Sequence, residues 1–178
     1  MTDYPTLFLD IDGVLNDHAQ MANGYCGTKP SCVAAFNRIL GEFPDAWIVI
    51  SSAWRYMILG GDMSLKGFEM LLQTHGVNCH GRVVGHTGPD PWPHELPDFK
   101  VDPESWKKAG LKWRASQIRD YVEKDSYLQW YEIDAVRQWF VIDDLDLDIR
   151  AKRFYRTDGS TGLTDVDADK IIEILRAT

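Results

Sequence analysis

The sequence predicts an α/β fold, a three-layer sandwich in which helices cover both faces of a central parallel sheet. Two patterns predict it. Short apolar runs of strand length alternate with segments whose apolar residues recur at helical spacing, and three of these runs end in polar residues. A chain of 178 residues, 44% of them hydrophobic, is long enough for one domain with a full core. We therefore expect residues 1–178 to form a single domain.

The first part of the chain supplies two buried strands with a helix between them. Residues 6–11 and 46–50 are continuous apolar runs bounded by turn-forming residues, as expected of strands that are buried on both faces. Residues 17–30 are polar and contain glycine, which predicts a loop that lies over the carboxyl end of the first strand. A helix should follow, with Ser31 as its N-cap and Gly41 at its end.

The middle of the chain continues the alternation and then breaks it. A second amphipathic helix is predicted from residue 65 to about residue 76, followed by a short strand at residues 82–86. Residues 87–105 contain five prolines, which predicts irregular structure. A connection of this length is typical of a lid, a binding loop or a disordered segment.

The last third returns to strands and helices. Apolar residues at helical spacing predict a helix that includes residues 113–122, and residues 139–142 form a further buried strand. Residues 151–157 suit a strand at the edge of the sheet. The final helix should begin at Asp167 or Ala168.

The composition and charge of the chain limit the kinds of partner that it can bind. The net charge is −8 and the isoelectric point is about 5.0. Phosphate backbones are held by clustered Lys and Arg, so an extended nucleic-acid surface is excluded, whereas a local basic pocket is not. The sequence shows no signal-peptide pattern and no apolar run that could cross a bilayer, so we expect no membrane partner. Three cysteines without C-x-x-C spacing suit a cytoplasmic protein. The oligomeric state is left open.

Polar side chains follow three of the predicted strands at the points where the strands end. The carboxyl ends of parallel strands lie at one edge of a sheet, so these residues should converge. Clustered carboxylates repel one another unless a cation lies among them, and oxygen ligands beside a phosphate favour Mg²⁺. The first strand end alone permits an Asp-rich turn, a cation site, or a nucleophile with an acid/base partner. The residues concerned are Asp10, Asp12 and Gly13; Ser51 and Arg55; and Asp143 and Asp144.

Three strings of residues resemble the motifs of the haloacid dehalogenase (HAD) superfamily of phosphohydrolases. LFLDIDGVLN is similar to the first motif, WIVIS to the second and WFVIDDLDLD to the fourth, in the same order along the chain. Three shorter strings, ISSAWR, the pair Arg114 and Ile118, and residues 161–164, resemble the HAD domains associated with Swiss Army knife RNA-repair proteins. The resemblance implies a HAD-like, Rossmannoid sandwich.

The resemblance also implies a role for each motif residue. Asp10 would attack phosphorus to give an aspartyl-phosphate, and Asp12 would act as general acid and then as general base. Ser51 would hydrogen-bond the phosphoryl group. Asp10, the backbone carbonyl of Asp12, Asp143 and Asp144 would bind Mg²⁺. The residues expected to contact substrate are Gly13, Ser52 and Arg55.

The third motif of the superfamily, normally a lysine, has no unambiguous match. We expect Arg114 to fill this catalytic role because a guanidinium can form a fork onto phosphate oxygens, with Lys112 and then Lys124 as alternatives. Arg55 could clamp a second phosphate or a sugar oxygen, or it could pair with Asp144.

The expected function is a Mg²⁺-dependent phosphatase acting on a small phosphomonoester, a nucleotide or a nucleic-acid terminal phosphate. The alternatives are a phosphotransferase of the same superfamily and a non-catalytic module that binds metal and partners. A cap or lid would come from residues 56–105. His18 and His86 are interpreted as surface or satisfied histidines, and Asp148 as a residue that orients others or as a turn residue.

Overall fold

Strands and helices alternate along the residues that the computed structural model describes, which are 5–23, 27–88, 102–124 and 138–178. Short 3₁₀ turns precede α3 and β5 below. The elements are β1 (Thr6–Leu9), α1 (His18–Ala22), α2 (Pro30–Glu42), β2 (Trp47–Ile50), α3 (Tyr56–Leu59), α4 (Leu65–Thr74), β3 (Val83–His86), α5 (Pro103–Lys124), β4 (Trp139–Asp143), β5 (Phe154–Arg156) and α6 (Asp165–Ala177).

The five strands of the described residues form one sheet in the order β3-β2-β1-β4-β5. All four neighbouring pairs are parallel. β1 lies at the centre, where Leu9 is in register with Ile50 of β2 and with Ile142 of β4. The predicted α/β sandwich with a parallel sheet is therefore confirmed.

Successive side chains of each strand point to opposite faces of the sheet, and helices cover both faces. One face packs on α2, α4 and α6, and the other packs on α5. The strand residues of the first face are Leu7, Leu9, Ile48, Ile50, Phe140 and Ile142. Those of the second face are Phe8, Val49 and Val141, in contact with Ala115, Ile118 and Tyr121. Near-continuous apolar runs thus serve two cores at once.

The predicted start and end of α2 are wrong. The N-cap residue is Lys29 and not Ser31, and its side chain makes no capping hydrogen bond. Pro30 opens the helix instead, since proline already has the required φ and the first helical N–H needs no intrahelical partner. Gly41 does not close the helix, which continues to Glu42. The loop predicted before α2 also contains the short helix α1.

The predicted boundaries near the C-terminus are also shifted. β5 is shorter than predicted, because residues 151–153 form a 3₁₀ turn. α6 begins at Asp165 and is capped by Thr164, whose Oγ1 accepts the N–H of Asp167. The carboxylate of Asp167 accepts the Thr164 N–H in return, which completes a capping box.

Part of the region predicted to supply a cap belongs to the main body. Phe68 and Leu72 of α4 are fully buried in the first core, and β3 is a strand of the sheet. Within the proline-containing stretch, a helix begins at Pro103. Residues 89–101, and with them most of that stretch, lie outside the described residues. Among the helices described, none is both long enough and apolar enough to span a bilayer.

Candidate active site

Four side chains form a row across the carboxyl edge of the sheet. In spatial order they belong to Thr87, Ser51, Asp10 and Asp143, and we call them the edge row. The backbone N–H groups of the first three donate to carbonyl oxygens of the neighbouring strands at 2.9–3.0 Å, which extends the parallel ladder by one residue. Their side chains therefore stay in phase with those facing α5. α5 adds Arg114 above the row.

Arg114 bridges two carboxylates of the edge row. Its Nη2 lies 2.8 Å from Asp10 Oδ1, and its Nε lies 3.2 Å from Asp143 Oδ2. Nη2 also donates to the carbonyl oxygen of Ser51 at 2.8 Å. Of the two alternatives for this basic role, Lys112 is exposed, and the side chain of Lys124 lies outside the described residues.

Asp10, Asp143 and Asp144 form an acidic cluster in which one oxygen of each lies within 4.8 Å of the others. Burial and the charge of Asp10 raise the pKa of Asp143 to about 8, although Arg114 acts in the opposite direction. Burial and Asp10 likewise raise the pKa of Asp144. Asp143 Oδ2 is buried, and its contact with Arg114 Nε is an ion pair without hydrogen-bond geometry. Three convergent carboxylates, one of them with a buried oxygen that no described residue hydrogen-bonds, fit a hard divalent cation such as Mg²⁺.

Asp12 is kept apart from this cluster. Its Oδ1 accepts a hydrogen bond from Asn16 Nδ2 at 2.9 Å, and Trp54 Nε1 lies 3.1 Å from both of its carboxylate oxygens. Trp54 in turn follows β2, where Ser52 Oγ accepts its backbone N–H. The two acids of the first motif are thus held by different neighbours, which allows them different chemical tasks.

The side of the edge row towards β3 is rich in unused donors. The side-chain atoms without a hydrogen-bond partner among the described residues include Ser51 Oγ, Thr87 Oγ1, Arg55 Nε and Gln117 Nε2, and all of them are buried. Nε2 and Nε can only donate, so the groups missing here are acceptors. The row is therefore polarised, with carboxylates towards β4 and donors towards β3.

Arg55 is 3% exposed and is held mainly by the protein backbone. Its Nη1 donates to the carbonyl oxygens of Ser51 and Ser52, and its Nη2 donates to Gln117 Oε1 at 2.9 Å. The interpretation that Arg55 pairs with Asp144 is wrong. Burial lowers the pKa of Arg55, and the nearby charge of Arg114 adds to this effect.

Gly13 is the residue that lets the chain turn beneath Asp144. Its φ is +75°, and a Cβ there would lie 2.6 Å from both Cγ and Oδ2 of Asp144. Its carbonyl oxygen accepts a hydrogen bond from Thr157 Oγ1 at 2.8 Å. A side chain at this position would therefore push directly on a carboxylate of the cluster.

A cleft of about 900 Å³ opens beside Asp144. Its walls come from the start of α1, the first half of α5, the end of β5 and the segments that follow β4 and β5. They include His18, Lys108, Leu111, Leu145 and Arg156. The cleft mixes charged, polar and apolar groups, and Asp144 is the member of the acidic cluster that lines it, so a ligand bound there would lie against the Asp144 side of the cluster.

Sequence reasoning missed several neighbours of the site. Thr87 was detectable, because it is the polar residue that ends a predicted strand, as Ser51 is. Gln117 carried a weaker signal, since it lies three residues after Arg114 and so on the same side of a helix. His18, expected to be a surface or satisfied histidine, contacts Asp144 with Nε2 2.9 Å from Oδ2, and the sequence did not indicate this partner.

A family model described as the HAD domain in Swiss Army Knife RNA repair proteins matches residues 6–168. The chain belongs to this family. Membership of this family supports a phosphatase-type hydrolase in general, and HAD domains generally depend on Mg²⁺. The match covers every strand of the sheet and the whole edge row. Comparisons with curated proteins and with solved structures gave no significant match.

Proposed function

We propose that this HAD domain is a Mg²⁺-dependent phosphatase that works through an aspartyl-phosphate on Asp10. The observation that carries the proposal is the polarised edge row. Asp10 belongs to a cluster of carboxylates that suits a cation, and on its other side lies a group of buried donors that lack acceptors. A phosphoryl group needs a nucleophile, a cation and donors for its non-bridging oxygens, and the row offers all three around one carboxylate.

In the first step, a carboxylate oxygen of Asp10 attacks phosphorus, and the bond from phosphorus to the leaving oxygen breaks. Asp12 gives its proton to that oxygen, which leaves as an alcohol. Oδ1 of Asp12 receives N–H groups from both Asn16 and Trp54, whereas Oδ2 receives only that of Trp54. We therefore assign the transferable proton to Oδ2.

In the second step, Asp12 accepts a proton from a water molecule as the water oxygen attacks the aspartyl-phosphate. The bond between phosphorus and Asp10 breaks, inorganic phosphate leaves, and both acids return to their starting states. Ser51 Oγ and Arg114 donate to the non-bridging oxygens in both steps. Arg114 already lies within hydrogen-bond distance of both Asp10 and the Ser51 carbonyl, so it needs little movement to do so.

Mg²⁺ would be held by Asp10, Asp143, Asp144 and the backbone carbonyl of Asp12. Bound there, it would neutralise the negative charge that accumulates between the nucleophile and the phosphoryl oxygens. Its charge would also favour the ionised forms of Asp143 and Asp144, whose pKa values burial raises.

The substrate class that we propose is a small phosphomonoester, with a nucleotide or a nucleic-acid terminal phosphate as the first choice. The family description names RNA repair, and the cleft beside Asp144 has the volume of a typical small-ligand pocket. The net charge of −8 argues against a long duplex as ligand, but it does not oppose binding of a single terminal residue.

The central test uses p-nitrophenyl phosphate with MgCl₂ and compares wild type with Asp10→Asn and Asp12→Asn. We expect Asp10→Asn to be inactive. The aryl leaving group hardly needs a proton, so the first step should proceed in Asp12→Asn. The second step lacks its general base and should be slow, so the phosphoenzyme should accumulate. Mass spectrometry of an acid-quenched digest should then find one phosphoryl group on the peptide that contains Asp10.

Two outcomes would contradict the proposal. Turnover by Asp10→Asn equal to wild type would exclude Asp10 as nucleophile. No turnover of any member of a panel of phosphorylated metabolites and end-phosphorylated oligonucleotides would favour a non-catalytic module. The same panel, run with added alcohols, separates a phosphatase from a phosphotransferase by whether inorganic phosphate or a new phosphoester is formed.

A further inference from the structure

His18 makes a specific contact with the acidic cluster although it lies on the surface. Its side chain is 57% exposed, whereas that of Asp144 is only 9% exposed, and Nε2 lies 2.9 Å from Asp144 Oδ2. No other side chain among the described residues hydrogen-bonds this carboxylate. The backbone carbonyl of Asp144, by contrast, accepts a bond from Arg156 Nε at 3.0 Å.

The local structure holds His18 in this place. Asp17 Oδ1 accepts the backbone N–H of Gln20 at 2.8 Å, which anchors the first turn of α1, where His18 is the first residue. Asp17 Oδ2 pairs with Lys29 Nζ at 2.8 Å, so the same side chain ties α1 to the start of α2. The backbone N–H of His18 donates to the carbonyl oxygen of Gly159 at 2.9 Å. These three contacts hold the backbone that carries the imidazole.

Glycine at position 159 makes room for the contact. A Cβ there would lie 2.3 Å from Cε1 of His18 and 2.7 Å from Oδ2 of Asp144. Gly13 leaves similar space on another side of Asp144, as described above. The Asp144 carboxylate therefore lies against two residues that have no side chain, and His18 is the partner that orients it.

We propose that His18 is a positioning residue that fixes the orientation of Asp144 for divalent-cation binding, a role that rests on the metal site of the proposed function. Carboxylates that ligate metals are generally themselves hydrogen-bonded, and loss of such a partner weakens metal binding by about 10- to 100-fold. His18 uses Nε2 on one carboxylate oxygen, which leaves the other oxygen for the cation. His18 itself does not touch the reacting atoms.

The test measures Mn²⁺ binding without substrate, by titration with electron paramagnetic resonance, for wild type and three variants. We expect His18→Ala to bind Mn²⁺ about 10- to 100-fold more weakly. His18→Gln keeps an N–H donor near the position of Nε2 and should retain affinity within about threefold. His80→Ala is the matched control, because His80 is an exposed histidine outside the cleft, and it should bind as wild type does.

Activity assays add a second readout. The Mg²⁺ concentration for half-maximal rate should rise in His18→Ala, whereas kcat at saturating Mg²⁺ stays close to wild type. Wild-type Mn²⁺ affinity in His18→Ala would overturn the inference and leave the metal site intact. Equal losses in His18→Ala and His18→Gln would overturn the hydrogen bond as its basis. If wild type binds no Mn²⁺, the metal site of the proposed function fails, and this inference fails with it.

Discussion

In the metal-free protein, Asp143→Asn should become more stable than wild type as the pH rises. Asp143 is fully buried beside Asp10, and burial together with that charge raises its pKa from 3.8 to about 8. Between these values the folded protein keeps the proton that the unfolded chain has released. The folded state then binds more protons, so the stability of wild type falls as pH rises through this window.

The size of the effect follows from the same two values. One pKa unit corresponds to about 1.4 kcal/mol, so a rise from 3.8 to about 8 costs wild type at most about 6 kcal/mol once both states are ionised. Asparagine has no proton to lose and escapes this cost. It does forfeit one acceptor facing Arg114, which costs about 1–2 kcal/mol at every pH. The gain of Asp143→Asn over wild type should therefore be absent near pH 5 and amount to several kcal/mol at pH 9.

Urea unfolding with a chelator present, at pH 5, 7 and 9, provides the measurement. Asp148→Asn is the control, because its side chain is 86% exposed and its loss should change stability by about 0.5 kcal/mol or less at all three values. Parallel pH dependences of wild type and Asp143→Asn would refute the reasoning. Added Mg²⁺ should stabilise wild type more at pH 9 than at pH 5, since the ligands must be deprotonated, and it should leave Asp143→Asn nearly unchanged.

Three further variants test other parts of the site and fold. Gly13→Ala places a Cβ 2.6 Å from Asp144 at a φ of +75°, so we expect a loss of about 1–3 kcal/mol in thermal unfolding and much weaker Mn²⁺ binding. Trp54→Phe removes the indole N–H from Asp12. It should lower kcat about tenfold or more for an alkyl phosphate, whose leaving group needs the proton, and less for an aryl phosphate. Thr164→Ala breaks the capping box and should cost about 1 kcal/mol in urea unfolding without any change in kcat.

The strands and the first site residues were predictable because their signals are local. Asp10 and Ser51 each end an uninterrupted apolar run, and a parallel sheet brings such ends to one edge. Thr87 obeys the same rule, yet its strand is short and only half-buried, so the run that it ends is weak in the sequence. The ends of the strands at this edge were thus predictable where burial on both faces makes the apolar run continuous.

Contacts between distant segments were not predictable in this way. His18 and Asp144 are 126 residues apart, and nothing in the local pattern around either residue indicates that they meet. Arg55 and Gln117 are 62 residues apart, and the local pattern likewise does not indicate their hydrogen bond; that Arg55 clamps a phosphate or sugar oxygen stays a prediction. The start of α6 was misjudged for another reason. The sequence predicts a start at Asp167 or Ala168, whereas the helix begins at Asp165 and the Asp167 carboxylate closes a capping box with Thr164.

The ladder hydrogen bonds that continue past the strands have a consequence for the dynamics of the site. The amide groups of Asp10, Ser51 and Thr87 are bonded to neighbouring strands as the core amides are. Their exchange with deuterium should therefore require an opening as large as that of the central strands, rather than the easy fraying of a loop. Binding and catalytic residues in proteins lie disproportionately on loops. Here Asp10, which we propose as the nucleophile, lies with Ser51 and Thr87 on backbone that the sheet protects, so these three residues should keep their spacing in every state that leaves the domain folded.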